Sequence, residues 1–338
     1  MSPEAARGAI WASVDRLLAL APDERALTVH RLEPLAGARL RALGREVPES
    51  AAESERLGAA FALAAGVHLE RARAAVEGPL LVVKGPELAA LYPDPATRIS
   101  RDLDLVVPDP ASVQRGLLAA GFAEAGDASY YADAPHLLPL AWPGLPVEVE
   151  VHGRPNWPPW LVAPTAEALL EDAVPSATGV EGLLAPSPER HVLVLAAHAW
   201  THGPLTRLRD LLDVALMTAR ADRDELERLA EAWGMTRLWR TTDAIAAALF
   251  LGAPQPRPLH TWARNLSAVR ERTVLEQHVA RWVGWHAALP RRLAVRATLD
   301  ELRDDLTPER GESWGSKLRR SVRAVRNAFV PRSKHERG

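Results

Sequence analysis

Cysteine is absent from the 338-residue sequence. This absence excludes disulfide bonds, thiolate zinc sites and cysteine nucleophiles, and it is typical of proteins in a reducing cytoplasm. A large excess of charge is missing as well, since the formal net charge is −2 and the isoelectric point is about 6.6. Without a global basic field, the composition disfavours long nucleic acid as a partner. We therefore expect a cytoplasmic protein whose partners are not long nucleic acids.

The sequence also lacks the apolar run of about 18–20 residues that a transmembrane helix needs. Its first residues, MSPEAARGAIWASVDRLLAL, carry Glu4 and are interrupted by Asp15 and Arg16. This pattern predicts an amphipathic helix and not a signal peptide. Hydrophobic residues nevertheless make up 47% of the chain, which is enough for a large buried core. We expect a soluble protein.

The sequence pattern changes along the chain and predicts three structured parts and a tail. Residues 1–78 have apolar residues at helical spacing and predict an N-terminal helical segment. Residues 79–186 contain short apolar strands and then many prolines, which predicts a sheet-forming part and a loop-rich connection. Residues 187–330 predict a helical C-terminal domain, in which the tryptophans would be core residues. We expect residues 331–338 to form a disordered tail.

Three stretches of the middle part predict strands, and they lead to the fold class. The stretches are PLLVVKG, DLDLVV and PVEVEVH, with ASYYAD and HLLPLAW as candidates for two more. PASVQRGLLAAGF predicts a helix after the second strand. Together these elements predict an α+β fold with a small mixed sheet and flanking helices.

The strand DLDLVV begins with two aspartates, Asp102 and Asp104, on either side of Leu103. Residues i and i+2 of a strand point to the same face, so the two carboxylates would lie close together. Like charges at that distance repel unless a positive group lies between them. A bound divalent cation is one such group, and solvent at the edge of the sheet is the other interpretation.

A third carboxylate is available in PVEVEVH, where Glu148 and Glu150 share one face. Three carboxylates on adjacent strands can hold one or two Mg²⁺ ions, and two such ions can clamp an in-line displacement of phosphate.

Cations and a glycine turn precede the aspartates. Lys84, Arg98 and Arg101 offer positive charge to a triphosphate, and Gly85 would let phosphate approach the backbone. Pairing of the two arginines with the aspartates is the other interpretation.

The stretch VVKGPELAALYPDPATRISRDLDLVV resembles the signature of an uncharacterised nucleotidyltransferase family in the DNA polymerase beta superfamily. The matching positions are Lys84, Gly85, Tyr92, Pro93, Arg98, Asp102 and Asp104. Downstream, Glu150 and His152 match an acidic residue two places before a histidine. His202, Leu208 and Asp213 match a helical segment of the family. The resemblance covers about residues 75–220.

The resemblance implies a nucleotidyltransferase-type fold and a Mg²⁺- or Mn²⁺-dependent reaction. A nucleoside monophosphate would pass from a nucleoside triphosphate (NTP) to an acceptor, which could be a small molecule, a peptide or a protein. The implied catalytic metal ligands are Asp102, Asp104 and Glu150. The implied nucleotide-binding residues are Lys84, Gly85, Arg98 and Arg101. The residues expected on the acceptor side are His152, His202 and Asp213.

Two sequence features favour a second functional hypothesis. Pro86 follows Gly85 and has no backbone N–H to offer a phosphate, and the third carboxylate is a glutamate. The alternative is a catalytically degenerate relative that acts as a binding or scaffolding subunit.

Two further patterns have more than one interpretation. His198 and His202 are four residues apart, but the segment lacks the glutamate of a metalloprotease helix, which favours partly buried histidines over a zinc site.

The C-terminal stretch SWGSKLRRSVRAVRNAF predicts a basic amphipathic helix. Such a helix can contact a partner or an anionic membrane surface. Packing of its apolar stripe on its own domain is the interpretation that we favour from the sequence.

Overall fold

A computed structural model describes residues 2–126, 137–145, 147–201, 203–308 and 311–333. Within these residues the chain forms one mixed seven-stranded sheet with flanking helices, which confirms the predicted α+β fold. The candidate strand ASYYAD, the site residue His202 and residues 334–338 of the predicted tail lie outside the described residues.

Along the chain, the helices come before, between and after the segments that form the sheet. Before it lie α1 (Pro3–Leu18), α2 (Glu24–His30), α3 (Glu33–Ala42) and α4 (Glu49–Ala75). Within it lie α5 (Pro86–Ala89), a 3₁₀ turn (Pro95–Thr97), α6 (Pro110–Ala119) and α7 (Ala166–Leu170). After it lie α8 (Pro188–Thr201), α9 (Leu208–Thr218), α10 (Arg223–Ala232), α11 (Thr236–Phe250), α12 (Arg257–His260), α13 (Arg264–Ser267), α14 (Val274–Val283), α15 (Trp285–Ala288), α16 (Arg291–Leu306) and α17 (Trp314–Arg326).

The sheet has the strand order β3-β4-β5-β2-β1-β7-β6. Its strands are β1 (Leu81–Val82), β2 (Asp102–Val106), β3 (Ala123–Glu124), β4 (Leu140–Ala141), β5 (Glu148–His152), β6 (Val174–Pro175) and β7 (Leu184–Ala185). The central pair, β2 and β5, is parallel, and its register sets Asp104 beside Glu150. β3, β6 and β7 were not predicted, because these two-residue strands, unlike β1 and β4, do not lie in a longer apolar run.

The alternation along β2 and β5 separates the two faces of the sheet. Leu105 and Val151 are fully buried on one face, where the core includes Leu69 of α4 and Leu117 of α6. Val106 lies on the opposite face and packs with residues of α7 and α8. Because Asp102 and Asp104 alternate with the leucines, they share the face of Val106. The charged ends of both strands therefore face the helical C-terminal part.

A second, larger core joins the N-terminal and C-terminal helices. Ile10 of α1 and Leu35 of α3 belong to the same buried cluster as Trp200 of α8 and Trp239 of α11. The predicted core role of the tryptophans is confirmed for these two and for Trp285, all of which are fully buried, and it is wrong for Trp314, which is exposed. The N-terminal segment thus packs on both parts of the molecule, with α1–α3 on the helices and α4 on the sheet.

The prediction that the apolar stripe of the C-terminal helix packs on its own domain is wrong. The stripe is exposed, with 69% exposure at Trp314, 66% at Leu318, 51% at Val322, 77% at Val325 and 82% at Phe329. The segment that follows α17 is fixed through its backbone, since Leu275 donates to the Ala328 carbonyl at 2.9 Å and Val274 to that of Val330 at 3.1 Å. These bonds hold the end of the helix without covering its stripe.

No helix in the described part of the chain has the length and apolar character to cross a bilayer.

Candidate active site

The charged face of the central strands forms one wall of a cavity of about 410 Å³, which we call the central cavity. The opposite walls come from α8, from the start of α9 and from the end of α2. Seven of the predicted site residues line it: Lys84, Gly85, Arg98, Asp102, Asp104, Glu150 and Asp213. The volume lies in the range that small-molecule sites occupy.

Asp104, Glu150 and His152 form the core of the site. His152 Nε2 lies 3.3 Å from Asp104 Oδ1 and 3.3 Å from Glu150 Oε2. Burial would lower the pKa of the His152 imidazolium, but hydrogen bonds to the two carboxylates outweigh burial and raise it to about 9. His152 was expected on the acceptor side, and the structure places it between the two carboxylates.

Lys84 supplies a second positive charge to this cluster. Its Nζ lies 3.1 Å from Asp104 Oδ2, and the Asp104 side chain is almost fully buried. Burial would raise the pKa of the Asp104 carboxyl, but Lys84 and His152 outweigh burial and hold that pKa well below its ordinary range. Lys84 and His152 therefore provide positive charge beside Asp104, whereas the sequence argument had placed a cation between Asp102 and Asp104.

The donor atoms of the cluster fit a divalent cation. Asp104, Glu150 and His152 each offer one ligand atom, and these atoms lie within 4.8 Å of one another. Carboxylate oxygens suit Mg²⁺ and Mn²⁺, and an imidazole must lose its proton before it can bind a metal. Asp102 lines the cavity but does not belong to this group of three. His152 therefore occupies the third position of the cluster, which the sequence had assigned to Asp102.

The two candidates for the third carboxylate lie in different surroundings. Glu148 pairs with Asp102 in the strand register, but it is exposed and does not line the central cavity. Glu150 pairs with Asp104 and lines the cavity.

Arg98 and Asp213 form a buried ion pair that links the sheet to α9. Arg98 Nε and Nη2 donate to the Asp213 carboxylate at 3.0 and 2.7 Å, and Arg98 Nη1 donates to Ser100 Oγ at 2.9 Å. Tyr92 also donates to Asp213, at 2.8 Å. Burial would lower the pKa of Arg98, but Asp213 outweighs burial and raises it above its ordinary value. Arg101 is exposed near the ring of Phe61 and outside the cavity lining.

Gly85 forms the turn between β1 and α5. Its φ of 64° and ψ of −126° favour glycine, because this backbone conformation is strained for any residue with a side chain. Arg98 Nη1 donates to the Gly85 carbonyl at 3.1 Å and so holds the turn in place. Pro86 is the first residue of α5, which spans four residues.

Several cavity residues were missed by sequence reasoning. They are Arg31, Ser100, Asn156, Leu195, His198, Arg207, Arg209 and Asp210. Arg207 and Arg209 lie inside the stretch TRLRD, where two arginines beside an aspartate are a usable signal. Arg31 directly follows α2, and its position at the cavity depends on how α2 packs, so no local pattern indicates it.

Comparison with known families agrees with this geometry. The family model described as "Uncharacterised nucleotidyltransferase" matches residues 24–251. The matched range contains all seven strands and helices α2–α11, and therefore every residue of the central cavity. Searches of curated proteins and of solved structures found no match. The chain belongs to the uncharacterised nucleotidyltransferase family.

Proposed function

We propose that this protein is a cytoplasmic enzyme that transfers a nucleoside monophosphate from an NTP to a hydroxyl group of an acceptor. The observation that carries the proposal is the pairing of Asp104 with Glu150 on parallel strands, beside Lys84, in a cavity of about 410 Å³. A bound Mg²⁺ or Mn²⁺ held by Asp104, Glu150 and Asp102 or His152 would neutralise phosphate charge and polarise the reacting phosphate.

The proposed reaction is an in-line displacement at the α-phosphorus. The acceptor oxygen forms a bond to this phosphorus, the bond to the β-phosphate oxygen breaks, and pyrophosphate leaves with the bonding electrons. The acceptor hydroxyl loses its proton to Glu150, the only carboxylate of the three-residue cluster that is partly exposed.

The cations of the cavity would share the charge of the triphosphate. Lys84, Arg31, Arg207 and Arg209 line the cavity and can bind phosphate oxygens. For Arg98 the contacts support a positioning role, because its donors already serve Asp213, Ser100 and the Gly85 carbonyl. Arg101 lies outside the cavity lining, which supports no direct role in binding the nucleotide.

The experiment is to incubate the protein with each NTP, labelled at its α-phosphate, with Mg²⁺ or Mn²⁺ and a cell extract. We expect metal-dependent transfer of the label to one class of acceptor, and loss of this transfer in Asp104→Asn. NTP binding without transfer from any of the nucleotides would contradict catalysis and favour the binding or scaffolding alternative.

A second proposal concerns the surface of α17. The helix carries five basic residues and no acidic one, and its stripe of Trp314, Leu318, Val322 and Val325 is exposed. Apolar side chains beside arginines are typical of helices that lie on anionic lipid. We expect the protein to sediment with phosphatidylglycerol-containing vesicles, less so at high salt.

The matched variants for this test are Trp314→Ser on the stripe and Leu299→Ser on α16, which is 61% exposed and outside the basic helix. Trp314→Ser should weaken vesicle binding and Leu299→Ser should not. Equal binding to neutral vesicles, or concentration-dependent dimerisation through the stripe, would contradict a lipid partner.

A further inference from the structure

A second cavity, of about 400 Å³, adjoins the central cavity. We call it the arginine cavity, because its lining contains Arg25, Arg31, Arg207, Arg272 and Arg332 and a single carboxylate, Glu271. Arg31 and Arg207 line both cavities, so the two spaces meet at these side chains. Such an excess of guanidinium groups favours an anionic ligand.

Three of the five arginines lack a carboxylate partner in the part of the chain that the structure describes. Arg25 Nε lies 3.7 Å from Glu271 Oε1. Among the described residues, Arg31, Arg207 and Arg272 have no carboxylate within ion-pair distance. By contrast, two arginines outside this lining have carboxylate partners. Arg98 pairs with Asp213, and Arg270 pairs with Glu276.

Arg272 is the buried member of the group, with 5% exposure. Its Nε donates to Asn265 Oδ1 at 3.0 Å, and its Nη2 donates to the carbonyls of Pro204 and Leu205 at 2.9 Å. Its Nη1 has no hydrogen-bond partner among the described residues. A buried donor without a partner is costly, and so is a buried charge without a counterion. Burial accordingly lowers the pKa of Arg272 to about 10.

The shared wall is held in place by His30. Its Nδ1 accepts a hydrogen bond from the Leu208 backbone at 3.2 Å, and its Nε2 donates to the Arg270 carbonyl at 3.0 Å. Arg31 directly follows His30, and Arg207 directly precedes Leu208. One buried ring therefore links the two backbone segments that carry the shared arginines.

We propose that the arginine cavity binds a phosphate group of the acceptor. The proposal rests on the proposed function, since it names the acceptor class as a phosphorylated molecule whose hydroxyl reaches the central cavity past Arg31 and Arg207. A phosphate carries up to two negative charges and three acceptor oxygens, which match several guanidinium groups better than a single carboxylate does.

The test is calorimetric titration of the full chain with inorganic phosphate in EDTA, without nucleotide. We expect the unsubstituted protein to bind phosphate, and Arg272→Gln and Arg25→Gln to bind it at least about tenfold more weakly. Arg115→Gln, at an exposed position on α6, is the matched control and should bind phosphate as the unsubstituted protein does. If Arg272→Gln fails to fold, Arg25→Gln decides the result.

The same variants are then titrated with an NTP and Mg²⁺. We expect Arg25→Gln to bind the nucleotide as the unsubstituted protein does. Equal losses of phosphate and NTP binding would overturn the proposal, because the cavity would then hold the nucleotide. Failure to bind phosphate, or binding that is unchanged in both variants, would overturn it as well. A failure of the proposed function is distinguishable, since metal-dependent NTP binding would then be absent whatever the phosphate result.

Discussion

The two faces of strands β2 and β5 share one backbone but carry opposite side-chain chemistry. On one face Leu105 and Val151 are fully buried against α4 and α6. On the other, Asp104 and Glu150 lie at a cavity with Lys84. The apolar face fixes where the strands lie, and the charged face can therefore hold like charges close together without unfolding the sheet. Changes on the apolar face should affect stability alone, whereas changes on the charged face should affect chemistry and, at buried Asp104, stability as well.

The largest expected effect is on the charged face, in Asp104→Asn. Loss of a charged metal ligand removes several kcal/mol of transition-state stabilisation, so single-turnover transfer should fall about a thousandfold. Asp102→Asn is the matched change, because Asp102 lines the cavity outside the three-residue cluster. Its effect should be smaller. A larger effect of Asp102→Asn would mean that the metal lies nearer the start of β2.

The next effect concerns the contact between the charged face and α9. Asp213→Asn leaves the Arg98 guanidinium buried without its counterion, and we expect a loss of about 3–5 kcal/mol in the free energy of unfolding. Urea denaturation measures it. The control is Asp243→Asn in the exposed pair with Arg223, where we expect less than about 1 kcal/mol. Equal effects at the two positions would refute the positioning role of Arg98.

On the apolar face, Leu105→Ala should affect stability alone. Leu105 has 0% exposure, so its truncation should cost about 2–5 kcal/mol. Transfer per folded molecule should remain that of the unsubstituted protein. Leu118→Ala, at a 37% exposed position on α6, should change stability by less than about 0.5 kcal/mol. A lower transfer rate in folded Leu105→Ala would show that the two faces are coupled.

Buried histidines without carboxylate partners should make the fold acid-sensitive. Burial lowers the pKa of His30 and of His191 to about 4, so both are neutral in the folded protein. The unfolded chain takes up these protons near its ordinary value of 6.5. Stability is therefore complete above that pH and falls as the pH drops towards 4, by about 3 kcal/mol for each histidine.

Urea denaturation across this pH window measures the effect. His30→Gln should reduce the slope without removing it, because His191 and the partly buried His68, whose pKa burial also lowers, still contribute. His260→Gln, at an exposed position, should leave the slope unchanged. A stability that does not change between pH 6.5 and 4 would contradict neutral His30 and His191.

The smallest of the five expected effects is on the transfer rate, and it is tested by substituting two glutamates of one strand. Glu150→Gln should lower single-turnover transfer about a hundredfold, because its charge acts mainly in the transition state. Glu148→Gln should leave the rate unchanged, since Glu148 is exposed and outside the cavity lining. If Glu148→Gln proves the more damaging change, the assignment of Glu150 is wrong.

The sequence predicted the parts of the site that lie within one strand or one turn. Asp102 and Asp104 on β2, the Gly85 turn and the alternation of PVEVEVH are local patterns, and the α+β fold follows from them and from the helical spacing of the flanking segments. The partners of these residues come from distant parts of the chain. The pairing of Arg98 with Asp213 spans 115 positions, and no local spacing encodes it.

The contact of His152 with Asp104 also could not be predicted from local spacing. In the strand pattern His152 is two residues after Glu150, which indicates a shared face with Glu150 but not a contact with Asp104. That contact depends on the parallel register of β2 and β5, which the sequence leaves open. The wrong prediction for the stripe of α17 has a similar reason. An amphipathic pattern predicts a helix but does not specify what covers its apolar side.

The most direct measurement is calorimetric titration of NTP into the protein and into Asp104→Asn, each with Mg²⁺ and with EDTA. The account predicts that Mg²⁺ strengthens nucleotide binding to the unsubstituted protein, and that Asp104→Asn abolishes this enhancement while remaining folded by circular dichroism. An equal enhancement by Mg²⁺ in both proteins would contradict a metal site at Asp104.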